Sequence, residues 1–189
     1  MDVTKSKFKK TFRYDINKAY RYTFDYRGVQ DITEVVGLQD KLDTFLKSKN
    51  LQPSNKKKIK DFFGRGRLYI SILQDGDTGF RNYHFYIRDN GCKRARLWYS
   101  FSDSNSNTAY DLNKVHIFED ISFFKASGIS TFDLGGISSV TNPSGIDKFK
   151  LAFSGDIEYS FTGAVGTSWR GRFFLATYNA LSRYRLLFR

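Results

Sequence analysis

Cysteine, proline, histidine and long apolar runs are all scarce in this 189-residue chain. The single cysteine, Cys92, rules out a disulfide scaffold and fits a reducing compartment. Two histidines, His84 and His116, leave little from which to build a zinc or iron site, so no metal is expected. With only two prolines and 26 % charged residues, a collagen-like or disordered chain is excluded. No stretch approaches the roughly 18 apolar residues of a membrane span. Residues 1–10 are charged and lack the apolar run of a secretory signal. The default expectation is a cytoplasmic globular protein.

What is abundant is apolar and basic. Hydrophobic residues make up 40 % and aromatics 17 %, enough for a core without disulfide or metal. The length predicts one domain over residues 1–189, burying roughly 70 % of its unfolded surface. The formal net charge of +12 points to phosphate-bearing partners or to solubility, and says nothing about fold. The excess concentrates in residues 5–27, 56–67, 93–96 and 170–189.

Hydrophobic spacing orders the elements. Ile16, Ala19 and Tyr20 make a helical stripe in residues 10–22, and residues 22–27 read as a strand. Leu38, Leu42, Phe45 and Leu46 mark a second helix, and residues 55–63 a third, closed at Gly64. The period then changes to two in residues 67–74, 83–88 and 95–101. Asp75-Gly76 and Asn90-Gly91 sit between these runs, which predicts an antiparallel meander. Leu112, Val115, Phe118 (or Ile117), Ile121 and Phe124 define the strongest helix, ended by Gly128. A strand at 129–134, a short helix at 144–153 and a strand at 156–161 follow. The last helix carries the stripe Phe173, Thr177, Ala180, Leu181, Tyr184 and Phe188. The expected fold is α/β of the α+β layered kind: a mixed, mostly antiparallel sheet flanked by helices.

Three segments could carry chemistry. Residues 101–108 join a strand to a helix N-terminus, where unsatisfied amides and the macrodipole favour anions. An ordinary polar loop capped by Asn107 is the competing reading. Ile146, Phe149, Lys150 and Phe153 fall at i, i+3, i+4, i+7, which places Lys150 on an apolar helix stripe. Its stem either packs while the ammonium reaches water, or the cation is partly desolvated to hold a carbonyl or phosphate. Asp133, before Gly135-Gly136, is a buried acceptor, a general base or a cap for the glycine turn. Arg13 and Lys18 could grip phosphates of a nucleotide-linked acceptor or of RNA, or belong to a solvated basic face.

This element order is that of the acyl-CoA N-acyltransferase (GNAT) fold. Gly128, Asp133, Leu134, Gly135 and Gly136, then Gly145, Phe149, Lys150, Phe153 and Gly155, resemble a motif of the Fem-type peptidoglycan bridge peptidyltransferases. Ser154 departs from that motif, and Arg13, Ile16, Lys18 and Ala19 match it more weakly upstream. The resemblance implies a GNAT-like fold with Lys150 and Asp133 as catalytic residues. It implies that Ser102, Asn105, Asn107, Thr108, Gly135, Gly136 and Phe149 bind the donor, and that Arg13 and Lys18 bind acceptor phosphates. The cosubstrate implied is acyl-CoA or aminoacyl-tRNA, with no tightly bound cofactor, and the acceptor is an amine of an envelope sugar or peptide precursor. The glycine-rich sequence usual for coenzyme A binding is absent from residues 102–108. Fem-type proteins carry two such domains, whereas this chain has room for one, so donor and acceptor stay open. The alternative expectation is a non-catalytic basic module of the same fold that binds RNA or an anionic polymer. Homodimerisation through aromatic surface is a further expectation.

Overall fold

The computed structural model describes residues 8–103, 107–158 and 167–186, with side chains at 8–103, 111–158 and 167–177. The chain divides into two compact units, Met1–Ser154 and Gly155–Arg189. The first contains α1 (Lys10–Ala19), β1 (Phe24–Gly28), α2 (Ile32–Ser48), α3 (Lys56–Gly64) and the strands β2 (Leu68–Asp75), β3 (Arg81–Asp89) and β4 (Arg94–Ser102). It continues through α4 (Asn107–Ala126), β5 (Thr131–Asp133) and α5 (Gly145–Leu151). The second contains α6 (Trp169–Leu186).

Local chemistry sets most boundaries. Asp31 caps α2 by accepting from the Thr33 amide at 2.7 Å, and Asn55 caps α3 from the Lys58 amide at 3.0 Å. Gly128, at φ 81°, ends α4 in a left-handed turn that a β-carbon would strain. The hairpin at Asn90-Gly91 forms, but not as a two-residue turn. The positive φ falls on Lys93, and Asp89 accepts from the Cys92 amide at 3.1 Å to close a longer loop.

The sheet runs in chain order, β1-β2-β3-β4-β5. Its first four strands are antiparallel, and β5 lies parallel to β4 because α4 carries the chain back across the sheet. Each face is covered by helices. Val35, Leu38 and Leu42 of α2 and Ile59 of α3 meet Ile70, Ile72, Phe85 and Phe101 on one side. Phe12 and Ile16 of α1 and Leu112 and Val115 of α4 meet Leu73 on the other, where Tyr86, Ala95 and Phe124 extend the contact. Each such fully buried side chain contributes roughly 1.5–3 kcal/mol of burial free energy. The helices packed on both faces explain why β2 is buried almost throughout instead of alternating.

Two expectations are corrected here. Residues 156–158 are irregular, not strand, while 159–161 lie outside the described residues. In α6, Phe173 is exposed rather than part of a buried stripe, and the stripe positions beyond Thr177 lie outside the described side chains.

Candidate functional site

Strand β5 stays beside β4 for only three residues, Thr131 to Asp133 against Arg94 to Arg96. Beyond that point β4 runs on to Ser102 while the other chain turns away through Leu134, Gly135 and Gly136. The turn has a local cause. The Gly135 amide donates to Asp133 Oδ1 at 2.7 Å, and Gly135 sits at φ 80°, a conformation costly for any residue with a β-carbon. A cleft of about 890 Å³ opens at this parting, bordered by Arg96, Leu97, Trp98, Gly135, Gly136 and Lys150.

On its β4 wall the ladder is irregular. Phe85 pairs with Tyr99 but the next residue, Tyr86, pairs with Leu97, so Trp98 is an extra residue in β4. That bulge breaks the in–out alternation: Trp98 and Tyr99, neighbours in sequence, both pack on the α2/α3 side. Trp98 also meets α3, with Phe62 at 6.1 Å and the Lys58 ammonium at 5.4 Å from its ring. Cations dominate the rim, where Lys58, Arg94, Arg96 and Lys150 outnumber Asp89 and Asp133.

Lys150 reaches the cleft from α5 and donates to the Gly136 carbonyl oxygen at 2.7 Å. Burial pushes its ammonium below the ordinary lysine range, with Arg96 acting in the same sense against the charges of Asp147 and Asp133. Lys150 passes close to the glycine turn: a β-carbon at Gly135 would lie 3.6 Å from both Lys150 Nζ and the Leu97 carbonyl oxygen, an ordinary contact distance. Helix α5 is itself anchored by Asp147. Its carboxylate accepts from the Ser144 amide and hydroxyl at 3.0 and 2.9 Å, from the Ser138 amide at 3.0 Å and from the Ser138 hydroxyl. Those hydrogen bonds hold Asp147 far below the usual carboxylate range.

Asp133 is fully engaged. Oδ1 takes the Gly135 amide, while Oδ2 takes Arg94 at 2.9 Å and faces Arg96 Nε at 3.7 Å. A carboxylate so paired shapes the glycine turn and holds two arginines beside it.

The residues singled out in the sequence separate into several places. Lys150, Asp133, Gly135 and Gly136 come together in the cleft. Phe149 does not join them, because its ring packs edge-on against Phe12 at 5.9 Å and Phe153 at 5.4 Å. The four residues at i, i+3, i+4, i+7 therefore do not share one face. Ile146 and Lys150 border the cleft, and Phe149 and Phe153 enter the core. Ser102 ends β4 opposite Asn82 and borders a different hollow of about 490 Å³ with Lys41, Phe45 and Asp103. Asn105 lies outside the described residues, and Asn107 and Thr108 open α4 with their side chains outside them. Arg13 and Lys18 lie on α1, away from the cleft lining. Lys58, Arg94 and Arg96 fall in the basic stretches 56–67 and 93–96 but were not singled out as site residues, and no local pattern marks Trp98. The sequence reading also missed Asp147, for which the Ser144-x-x-Asp147 capping spacing was an available signal.

A second titratable cluster lies in the core between β3 and α4. His84, His116 and Asp120 are fully buried and form, among the described residues, a group with metal-ligand atoms close together. Their geometry is that of a hydrogen-bond network. His84 Nδ1 lies 2.7 Å from Asp120 Oδ2, which also accepts from the Tyr86 hydroxyl at 2.7 Å, while Tyr26 donates to Oδ1 at 2.9 Å. His84 Nε2 is 2.8 Å from Asn113 Oδ1, and His116 Nε2 is 2.9 Å from Ser71 Oγ. The imidazoles stack 3.7 Å apart at an interplanar angle of 11°. In-plane lone pairs of two parallel rings do not converge on one ion, so these residues do not fit a metal in this arrangement.

No family model and no curated protein sequence matches the chain. Several solved structures resemble it. L-PGS from Bacillus licheniformis is 12 % identical with a TM-score of 0.54, over 79 % of this chain and 54 % of that one. The chain thus spans about half the length of that relative. A probable acetyltransferase is 7 % identical with a TM-score of 0.51, over 76 % of this chain and 99 % of that one. At such identities the likeness speaks for architecture alone, and that architecture is the layered α/β fold of the GNAT acyltransferases.

Proposed function

We propose that this chain is an N-acyltransferase that moves an acyl or aminoacyl group from a phosphate-bearing donor to an amine. The observation that carries this reading is the cleft at the β4–β5 parting, where a strand bulge, a glycine turn and a partly buried lysine meet. A narrow gap between diverging strands suits the extended arm of a thioester donor, and Arg94, Arg96 and Lys58 would meet its phosphates. An acyl carbonyl placed beside the bulge would find backbone not used in the ladder, with the Lys150 ammonium near the developing oxyanion. In the step itself the amine nitrogen bonds to the acyl carbon and the carbon–sulfur or carbon–oxygen ester bond breaks. The proton lost by the amine ends on the leaving thiolate sulfur or on the leaving ribose oxygen, which becomes a hydroxyl. Because Asp133 is ion-paired, water is the better carrier of that proton.

The donor is an acyl-CoA or an aminoacyl-tRNA, and the net charge of +12 accommodates either. Thermal unfolding at fixed salt tests this. A donor held at a hundred times its dissociation constant stabilises the folded state by about 2.7 kcal/mol. The expected result is a rise in Tm with a CoA ester or charged tRNA that disappears in Lys150→Ala. Salt-sensitive stabilisation by uncharged RNA alone, unaffected by Lys150→Ala, would replace this reading with that of a non-catalytic binding module.

A further inference from the structure

The second unit carries a feature that the acyl-transfer reading does not use. Along α6, Trp169, Phe173 and Phe174 are 74 %, 69 % and 65 % exposed. Trp169 and Phe173 are one turn apart and share a side of the helix, with Phe174 on its flank. The Arg170 guanidinium sits 5.3 Å from the Trp169 ring, an arrangement that leaves cation and aromatic surface facing solvent together. From residue 159 to 189 the sequence has no aspartate, glutamate or lysine, while Arg170, Arg172, Arg183, Arg185 and Arg189 supply positive charge. The remainder of the segment is aromatic, leucine or small and uncharged.

We propose that α6 lies in the plane of a bilayer containing anionic lipid, with Trp169, Phe173 and Phe174 entering the interface and Arg170 and Arg172 meeting phosphate headgroups. Three neighbouring exposed large aromatics are costly in water and are the residue types that settle at a lipid–water boundary. Arginine alone, with no carboxylate in the whole segment, suits a negative surface and disfavours pairing with a second copy of the same helix. Among the described residues no helix is long and apolar enough to cross a membrane, so the mode is adsorption to the surface, not insertion across it. At 1.5 Å per residue α6 would cover about 27 Å of that surface.

The test is co-sedimentation of the full chain with vesicles of phosphatidylcholine, with or without about 30 % phosphatidylglycerol. Binding is expected only to the anionic vesicles. Phe173→Ser with Phe174→Ser should weaken it by roughly tenfold or more, with circular dichroism unchanged because both rings are exposed. Arg170→Gln with Arg172→Gln should weaken it by about tenfold at low salt. Equal binding to neutral vesicles, no binding to either, or no effect of the phenylalanine pair would overturn the proposal. Binding to tRNA that competes with the vesicles and ignores the phenylalanine pair would overturn it in favour of an RNA surface. Donor-induced stabilisation should be the same in all these variants, so this proposal and the acyltransferase reading fail separately.

Discussion

Two carboxylates in this protein show what position does to the same side chain. Asp120, between β3 and α4, is wholly buried and satisfied by His84, Tyr86 and Tyr26. Asp133, at the end of β5, is only partly covered and divides its oxygens between a loop amide and two arginines that face the cleft. The first ties a strand histidine and two tyrosine hydroxyls to helix α4 inside the core, so its value is cohesion. The second fixes a turn whose shape creates the cleft, and it holds two arginines at the cleft's edge. Titratable chemistry at the centre of a fold is therefore a poor guide to its function, and the edge where a strand departs is a better one.

The strongest way to break this comparison is Asp120→Ala. It leaves His84 and two tyrosine hydroxyls without their acceptor, and burial keeps both hydroxyls protonated and in need of one. Urea unfolding should lose about 3–5 kcal/mol, and a loss below 1 kcal/mol would show that the network is dispensable. Lys150→Ala should do the reverse: stability within about 1 kcal/mol, since the lost hydrogen bond is a single part-exposed contact, but no donor-induced rise in Tm. Should the variant keep the donor response, Lys150 is only a clamp on the glycine turn.

Gly135→Ala should cost about 1–2 kcal/mol through its positive φ, since the space around the new methyl is adequate. Its thermal melt against wild type measures that strain separately from any steric block. The smallest effect is set by pH. Asp147 has a folded-state pKa well below its unfolded value of about 3.9, so its stabilising contribution is intact above that value. It drains away as pH falls from there toward the folded value, because the unfolded chain then binds the extra proton. Acid titration of stability should be less steep in Asp147→Asn than in wild type below about pH 4, and an unchanged slope would assign the acid loss elsewhere.

Much of the frame was legible in residue order. Leu38, Leu42 and Leu46 repeat at helical spacing and are buried together, and the strand pattern read over residues 67–74, 83–88 and 95–101 announces the three paired strands that form at 68–75, 81–89 and 94–102. Gly128 and Asn55 mark helix ends because capping acts over three or four residues. The same locality makes other features illegible. The bulge at Trp98 depends on its pairing with β3, and helix periodicity alone assigned Phe149 and Lys150 to one face when packing against Phe12 separates them.

By itself, the sequence determined the order and type of the elements from α1 to α5, the glycine turn after Asp133 and the basic, carboxylate-free segment that includes α6. These depend on backbone preference, hydrophobic period and charge, all of which act between near neighbours. Only the tertiary structure decided that Lys58, Arg96, Trp98 and Lys150 border one cleft, and that His84 and Asp120 meet inside the core. Those encounters join residues far apart in the chain, and they follow from where β5 leaves β4 and how α4 lies across the sheet.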